Sequence, residues 1–280
     1  MARNEKKSDA GGTLLADSGL MCMTFHDTGD TVQPLDDTII SFEAAAKLRD
    51  LVIREPQETA TAYTHPIDTQ VFHIRMASTA GKREAASLLL RKMYGWRGYD
   101  VDPETTHVPN RITLYAETGG VTVGTMSLCL DDPKLGLPAD ENFRDELDAL
   151  RAQGRRLCEP SRLAIDKDVS KRVFAALIHI SYIYAHNIHG YSDYVIEVNP
   201  RHVMFYKRML GFRDFGGERP CSRVGAPAVL LRLQLDYMGE QIRRFGGQME
   251  QAPGERTFYP YFFPLRDEPG ITGRLIQGRD

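Results

Sequence analysis

Residues 156–177 bring together the groups best suited to chemistry. Leu157-Cys158-Glu159-Pro160-Ser161-Arg162-Leu163-Ala164-Ile165 mixes apolar and polar residues and is predicted to be extended. A polar turn, Asp166-Lys167-Asp168-Val169, leads to Ser170-Lys171-Arg172, where a helix opens. An acid and a base therefore precede a positively charged helix start. That order suits a nucleophile held beside an anionic donor, because a helix N-terminus presents unpaired N–H groups.

Glu159 and Arg162 are three residues apart, so on a regular strand they face opposite sides. A bulge at Pro160 would be required to bring both to one cleft. The alternatives are plain: Glu159 pairs with Arg162 or with a neighbouring strand, and Arg162 organises the strand or binds a carboxylate. Lys171 and Arg172 each oppose the helix dipole by roughly 0.3–1 kcal/mol. An anionic ligand would offset that cost; simple solvent exposure is the other account. Cys158 adjoins Glu159, but no His or Asp partner is evident for a covalent route.

The surrounding elements must hold this stretch. Val71 to Ala77 alternates as a strand, and a helix is expected over 82–93. The aromatic segment Tyr94-Gly95-Trp96-Arg97-Gly98-Tyr99 follows, with Trp96 either a core anchor or a cleft wall. The clearest hairpin runs from Arg111-Ile112-Thr113-Leu114-Tyr115 through Thr118-Gly119-Gly120 to the return strand 121–130. Gly124 inside that strand signals a bulge or a close backbone approach. A helix over 141–151 points Phe143, Leu147 and Leu150 inward, and the helix from Ser170 to about His186 is apolar around much of its surface. Then come a strand over 193–198, a helix over 201–209 closed by Gly211, a strand fragment over 212–215, a long loop over 216–227, a strand over 228–235 and a helix over 237–245. Near the end, Phe258-Tyr259-Pro260-Tyr261-Phe262-Phe263-Pro264 is expected to lie extended over the body or over a partner chain. This order implies an α+β fold with one mixed sheet. The Glu159 strand, the Ser170 helix and the Val195 strand make a right-handed crossover, whose parallel strands can splay at their carboxyl ends and open a cleft.

The region before the core is expected to be a flexible lead and an accessory for packing or solvation, with a specificity flap or a dimer arm as the alternative, and the region after it a C-terminal helix and aromatic-rich tail. Residues 1–37 are polar and weakly patterned, a helix is expected over 41–53, and the boundaries are set at 1–69, 70–237 and 238–280. The 280 residues are 42% hydrophobic and 26% charged, with formal net charge -3. No long Lys/Arg run exists to neutralise phosphates, which gives no support for a general nucleic-acid binder and leaves only local basic patches open. Cys22, Cys129, Cys158 and Cys221 form no CxxC, so thiols in a reducing compartment are expected. His179, His186 and His189 lack metal-ligand spacing, and no metal is expected. The start carries no secretory pattern and no run spans a bilayer, so the expected location is the cytoplasm, with peripheral membrane contact left open.

Several stretches in this order resemble the GCN5-related N-acyltransferase superfamily, and more narrowly the N-acyl amino acid synthases, relatives of the acyl-homoserine-lactone synthases. They are the early strand-helix-Tyr94-Gly95 segment, Gly124-Thr125-Met126-Ser127-Leu128, Gly136-Leu137-Pro138, Glu159-Pro160-Ser161-Arg162-Leu163-Ala164-Ile165 and Phe205-Tyr206-Lys207-Arg208-Met209-Leu210-Gly211-Phe212. The resemblance covers roughly residues 70 to 237. It implies a GCN5-related N-acyltransferase fold, here with an N-terminal helical extension and a C-terminal helix and tail. It also implies transfer of a medium- or long-chain fatty acyl group to the amine of a free amino acid.

The superfamily's glycine loop for coenzyme A is missing: the corresponding place reads Asp168-Val169-Ser170-Lys171-Arg172-Val173. The synthase subgroup implies instead an acyl-phosphopantetheine donor on an acyl carrier protein, with acyl-coenzyme A less suited. Ser170, Lys171 and Arg172 are then the donor or carrier contacts. The resemblance makes Glu159 the base and Tyr206 the proton donor to the departing thiolate, with Arg162 at the substrate. A buried aromatic anchor is the alternative for Tyr206. Arg91 and Trp96 are candidates for the acceptor or acyl pocket, and Met126, Leu128, Ile165 and Phe174 for the acyl tunnel. A lactone-type or other small-molecule N-acyltransferase, and a non-catalytic acyl-binding relative, are the competing functions.

Overall fold

The computed structural model describes residues 37–45, 69–95, 108–167, 169–223, 225–249 and 256–277. Eight strands form one sheet: β1 (Thr38–Ala45), β2 (Thr69–Met76), β3 (Arg111–Thr118), β4 (Val121–Leu130), β5 (Leu157–Ile165), β6 (Asp193–Val198), β7 (Arg213–Cys221) and β8 (Ala226–Gln234). Their spatial order is β1-β2-β3-β4-β5-β6-β8-β7. Neighbours run antiparallel except β5 and β6, which are parallel.

Two sets of helices cover the sheet. Helices α1 (Ala80–Gly95) and α2 (Asp140–Ala152) pack separate apolar groups: Leu89 and Leu90 meet Ala164, while Phe143, Leu147 and Leu150 meet Leu157, Val195 and Leu230. The main core holds α3 (Lys171–Tyr182), whose residues from Val173 to Tyr182 are all buried. α3 continues as a π-helix over Ile183–Ile188. Helix α4 (Val203–Leu210) ends on Gly211, whose φ of 84° is the left-handed cap expected from the sequence. Helices α5 (Leu235–Phe245) and α6 (Glu268–Gln277) complete the chain. No helix among the described residues is long and apolar enough to cross a membrane.

Gly124 lets α3 approach the sheet. A Cβ there would lie 3.1 Å from Val173 Cγ1 and 3.4 Å from Leu177 Cδ1. The register also shifts beside it, between Ala116 and Glu117. Both signals expected of this glycine are present.

Three expectations need correction. Residues 41–45 are not helical but part of β1, paired with β2. Phe42 and Ala44 are inward between exposed Ser41 and Glu43, Ile39 is buried out of step with them beside a register shift at Thr38/Ile40, and Phe42 stacks on Phe72 at 5.7 Å. Alternation over 41–44 and pairing with β2 outweighed the helical spacing; the rest of that expected helix, 46–53, lies outside the described residues. The expected loop over 216–227 is largely β7, a short turn and the start of β8. Gly216 is a packing position: a Cβ there would meet Phe143 Cδ1 at 2.8 Å. The aromatic tail is not extended over its whole length but makes a 3-10 turn at Tyr259–Tyr261. Tyr259, Phe262 and Phe263 are buried against α3 and its neighbours.

Candidate active site

Strands β5 and β6 pair only at Leu157–Asp193 and Cys158–Tyr194, then part. Asp193 anchors the paired end. It is fully buried and held by Arg155 at 2.5 Å and by Arg232 at 2.7 Å. Beyond it the sheet opens, and a cavity of about 460 Å³ fills the gap. This is the cleft predicted from the crossover.

The two sides of the cavity differ in character. Met126, Ile178, Tyr194, Ile196 and Leu233 form an apolar wall that belongs to the α3 core. Glu159, Glu197 and Arg223 form a charged wall, and each is tied to the start of α2. The Ala139 N–H donates to Glu159 Oε2 at 2.8 Å, Asn142 Nδ2 donates to Glu197 Oε1 at 2.6 Å, and Arg223 Nε lies 3.1 Å from Glu141 Oε2. Arg223 also donates through Nη2 to Glu197.

Glu159 is 2% exposed. Burial pushes its carboxyl up to about 8, the Ala139 hydrogen bond and the Arg223 charge pull it down, and Glu197 pushes it further up. Oε2 is used by Ala139, while Oε1 has no hydrogen bond among the described residues. A carboxylate with such a value and a free oxygen on a cavity wall is suited to exchange a proton near neutral pH.

The sheet also solves the spacing of Glu159 and Arg162. The β4–β5 register slips by one residue, with Thr125 opposite Ala164 but Ser127 opposite Ser161. Arg162 absorbs the slip at φ 51°, the one non-glycine with positive φ among the described residues. The bulge therefore sits at Arg162 rather than Pro160. It brings Glu159 and Arg162 to the same cavity. Ser161 Oγ, beside them, is buried without a hydrogen bond.

Tyr206 lines the cavity from α4, against Phe205 and Phe212. Burial pushes its phenol well up, so it stays protonated and can only donate near neutral pH. Tyr94 faces it from α1, with its hydroxyl donating to Leu163 O at 3.1 Å. Met126 lines the apolar wall.

Other candidates lie elsewhere. Leu128 is fully buried in the core, and Phe174 packs on Phe258 at 4.6 Å and on Phe205 at 5.9 Å. Ile165, at the end of β5, packs against that core. None of the three lines the cavity. Arg91 is exposed on α1, where Leu90 and Tyr94 face the cavity instead. Ser170 caps α3 by accepting from Arg172 N at 3.2 Å. Arg172 turns to β1, donating to Glu43 O at 2.8 Å and covering the Phe42 ring at 5.1 Å. Lys171 is exposed and makes no ion pair among the described residues. Trp96 lies outside the described residues.

Glu197 and Arg223 were not singled out from the sequence. Glu197 is the polar break in Asp193-Tyr194-Val195-Ile196-Glu197-Val198, a usable signal. Arg223 falls in the segment expected to be loop. Among the described residues no cluster of His, Cys, Asp or Glu could hold a metal ion.

The chain is similar to known proteins. The family model described as N-acyl amino acid synthase FeeM matches residues 85–234. The solved structure of FeeM, an N-acyl amino acid synthase from uncultured soil microbes, is 28% identical with a TM-score of 0.56, over 61% of this chain and 95% of that one. A putative N-acetyltransferase from Lactobacillus plantarum is 18% identical with a TM-score of 0.42, over 59% and 98%. The acyl-homoserine-lactone synthase LasI is 15% identical with a TM-score of 0.36, over 59% and 91%. No curated protein matches. The fold is that of the GCN5-related N-acyltransferases, and the chain belongs to the FeeM family of N-acyl amino acid synthases.

Proposed function

We propose that this N-acyltransferase moves a fatty acyl group from an acyl carrier protein thioester to the amine of a free amino acid. The observation that carries the reading is the cavity between β5 and β6, apolar on the α3 side and charged on the α2 side. The acyl chain lies along Met126, Ile178 and Ile196, and the amino acid meets Glu159.

Glu159 Oε1 takes a proton from the acceptor ammonium. The freed nitrogen attacks the thioester carbonyl, the C–N bond forms, and the C–S bond breaks as the tetrahedral intermediate collapses. Tyr206 gives its proton to the leaving thiolate and regains one from the proton released at nitrogen. The products are an N-acyl amino acid and a carrier thiol.

The donor assignment rests on the chain around the start of α3. It has no glycine over 168–173, and Lys171 is exposed there as a contact for an acidic carrier. A carrier donor also fits a protein acting in the cytoplasm.

The test is acyl transfer from acylated carrier protein, read as thiol release and as an amide product by mass spectrometry. Release that depends on an added amino acid is the expected result. No release with any of the common amino acids would refute the acceptor, and faster transfer from acyl-coenzyme A would refute the donor.

A further inference from the structure

The charged wall holds a guanidinium whose use acyl transfer alone does not explain. Arg223 sits at the turn between β7 and β8 and reaches the cavity. Nε faces Glu141 and Nη2 faces Glu197, while Nη1 has no hydrogen bond among the described residues. Its two carboxylate partners are unequal: the Glu197 side chain is 5% exposed and that of Glu141 43%. Glu197 is fixed a second time by Asn142. The guanidinium is thus held in place with one donor edge unused.

An amino acid acceptor is a zwitterion, with its carboxylate one carbon from its amine. If the amine gives its proton to Glu159 Oε1, a cation must stand close by for the carboxylate. Arg162, Arg201 and Arg223 all line the cavity. Of these, Arg223 exerts the strongest charge effect on Glu159. A buried carboxylate left without a cation would be strongly disfavoured, so the cation that shares the charged wall with Glu159 decides which amines enter.

We infer that Arg223 binds the α-carboxylate of the acceptor through its free guanidinium edge, and so restricts acceptors to amines that carry a neighbouring carboxylate. This rests on the acyl-transfer reading above and adds a specificity residue to it. Glu197, Asn142 and Glu141 are positioning residues that hold the guanidinium toward Glu159. A planar guanidinium meets a carboxylate with two parallel N–H bonds, which an ammonium cannot reproduce.

The experiment compares the amino acid turned over fastest with its own carboxamide, which keeps the amine and side chain but removes the negative charge. The kcat/KM ratio of acid to amide is measured for wild type, Arg223→Lys and Arg223→Met. The expected result is a wild-type preference for the acid that falls about 30-fold in Arg223→Met. Most of the loss should be in KM, and Arg223→Lys should be intermediate. A preference that stays within threefold of wild type in Arg223→Met would overturn the inference, as would equal losses for acid and amide. If no acceptor is turned over, the acyl-transfer reading fails by itself. Calorimetric binding of N-dodecanoyl-glycine and its carboxamide then decides the role of Arg223. Selective loss of acid binding in Arg223→Met supports it, and equal affinity of wild type for both ligands refutes it.

Discussion

The backbone N–H of Ala139 donates to Glu159 Oε2 at 2.8 Å, so the start of α2 grips one oxygen of a buried carboxyl and leaves the other to the cavity. The grip is too weak to offset burial, and the carboxyl is held at about 8 rather than near 4.5. The folded protein therefore keeps a proton that the unfolded chain releases. Glu159 contributes stability that is complete below about pH 4.5 and is lost as pH rises through about 8. Urea midpoints from about pH 5 to about pH 9 should fall more steeply for wild type than for Glu159→Gln. Parallel curves would contradict this assignment.

Arg162 holds the bulge that turns two residues toward one cavity, at φ 51°. Left-handed backbone costs an ordinary residue roughly 1–2 kcal/mol and a glycine almost nothing. Arg162→Val should be less stable than Arg162→Gly by about that amount. The two denaturation midpoints check it, and equal midpoints would remove strain as the explanation.

Gly124 is the place where α3 meets the sheet. Because a Cβ would stand 3.1 Å from Val173 Cγ1, Gly124→Val should cost about 1–3 kcal/mol by overpacking. Thermal unfolding reads it. In a double variant, Val173→Ala should recover part of the loss, because it removes the atom met first.

Much of this frame was legible beforehand. Strands β3 and β4 follow from alternation about Gly119-Gly120, and α2 from Phe143, Leu147 and Leu150. The cleft follows from a parallel crossover, and Glu159 from its motif. β1 was less legible because its partner β2 lies some thirty residues away in sequence, and β7 because Gly216, which reads as loop, is a packing position. α6 was missed because Pro269, Gly270 and Gly273 weaken its helical signal, whereas Ile271 and Leu275 are buried by tertiary contact. Arg223 joins the site through a hairpin that brings it back across the sheet, and Arg172, legible as a cation at a helix start, is drawn to β1. Local residue order does not report such partners.

The tail is fastened through His179. Its Nδ1 accepts the Phe263 N–H at 3.1 Å, Nε2 donates to Glu268 Oε1 at 3.1 Å, and the ring stacks on Phe262 at 5.1 Å. Accepting at Nδ1 requires the neutral ring, and burial pushes its pKa below 6.5 against the opposing pull of Glu268. The sign is that of a depressed group: its stabilisation is present above about pH 6.5 and is lost as pH falls through the folded value. Hydrogen-exchange protection factors over 258–277, taken relative to intrinsic rates at each pH, should fall on acidification before those of β3 and β4. Protection that persists equally in both regions would contradict this.

The most direct measurement is the pH dependence of kcat/KM for acyl transfer by wild type and Glu159→Gln, with the fold of each verified by circular dichroism. Wild-type activity should rise through about pH 8, where Glu159 loses its proton. Glu159→Gln should be slower by about 10²–10⁴-fold and lack that rise. A variant that retains both the rate and the rising limb would show that the proton leaves the amine by another route, and the account of this cavity as the catalytic centre built on Glu159 would fall.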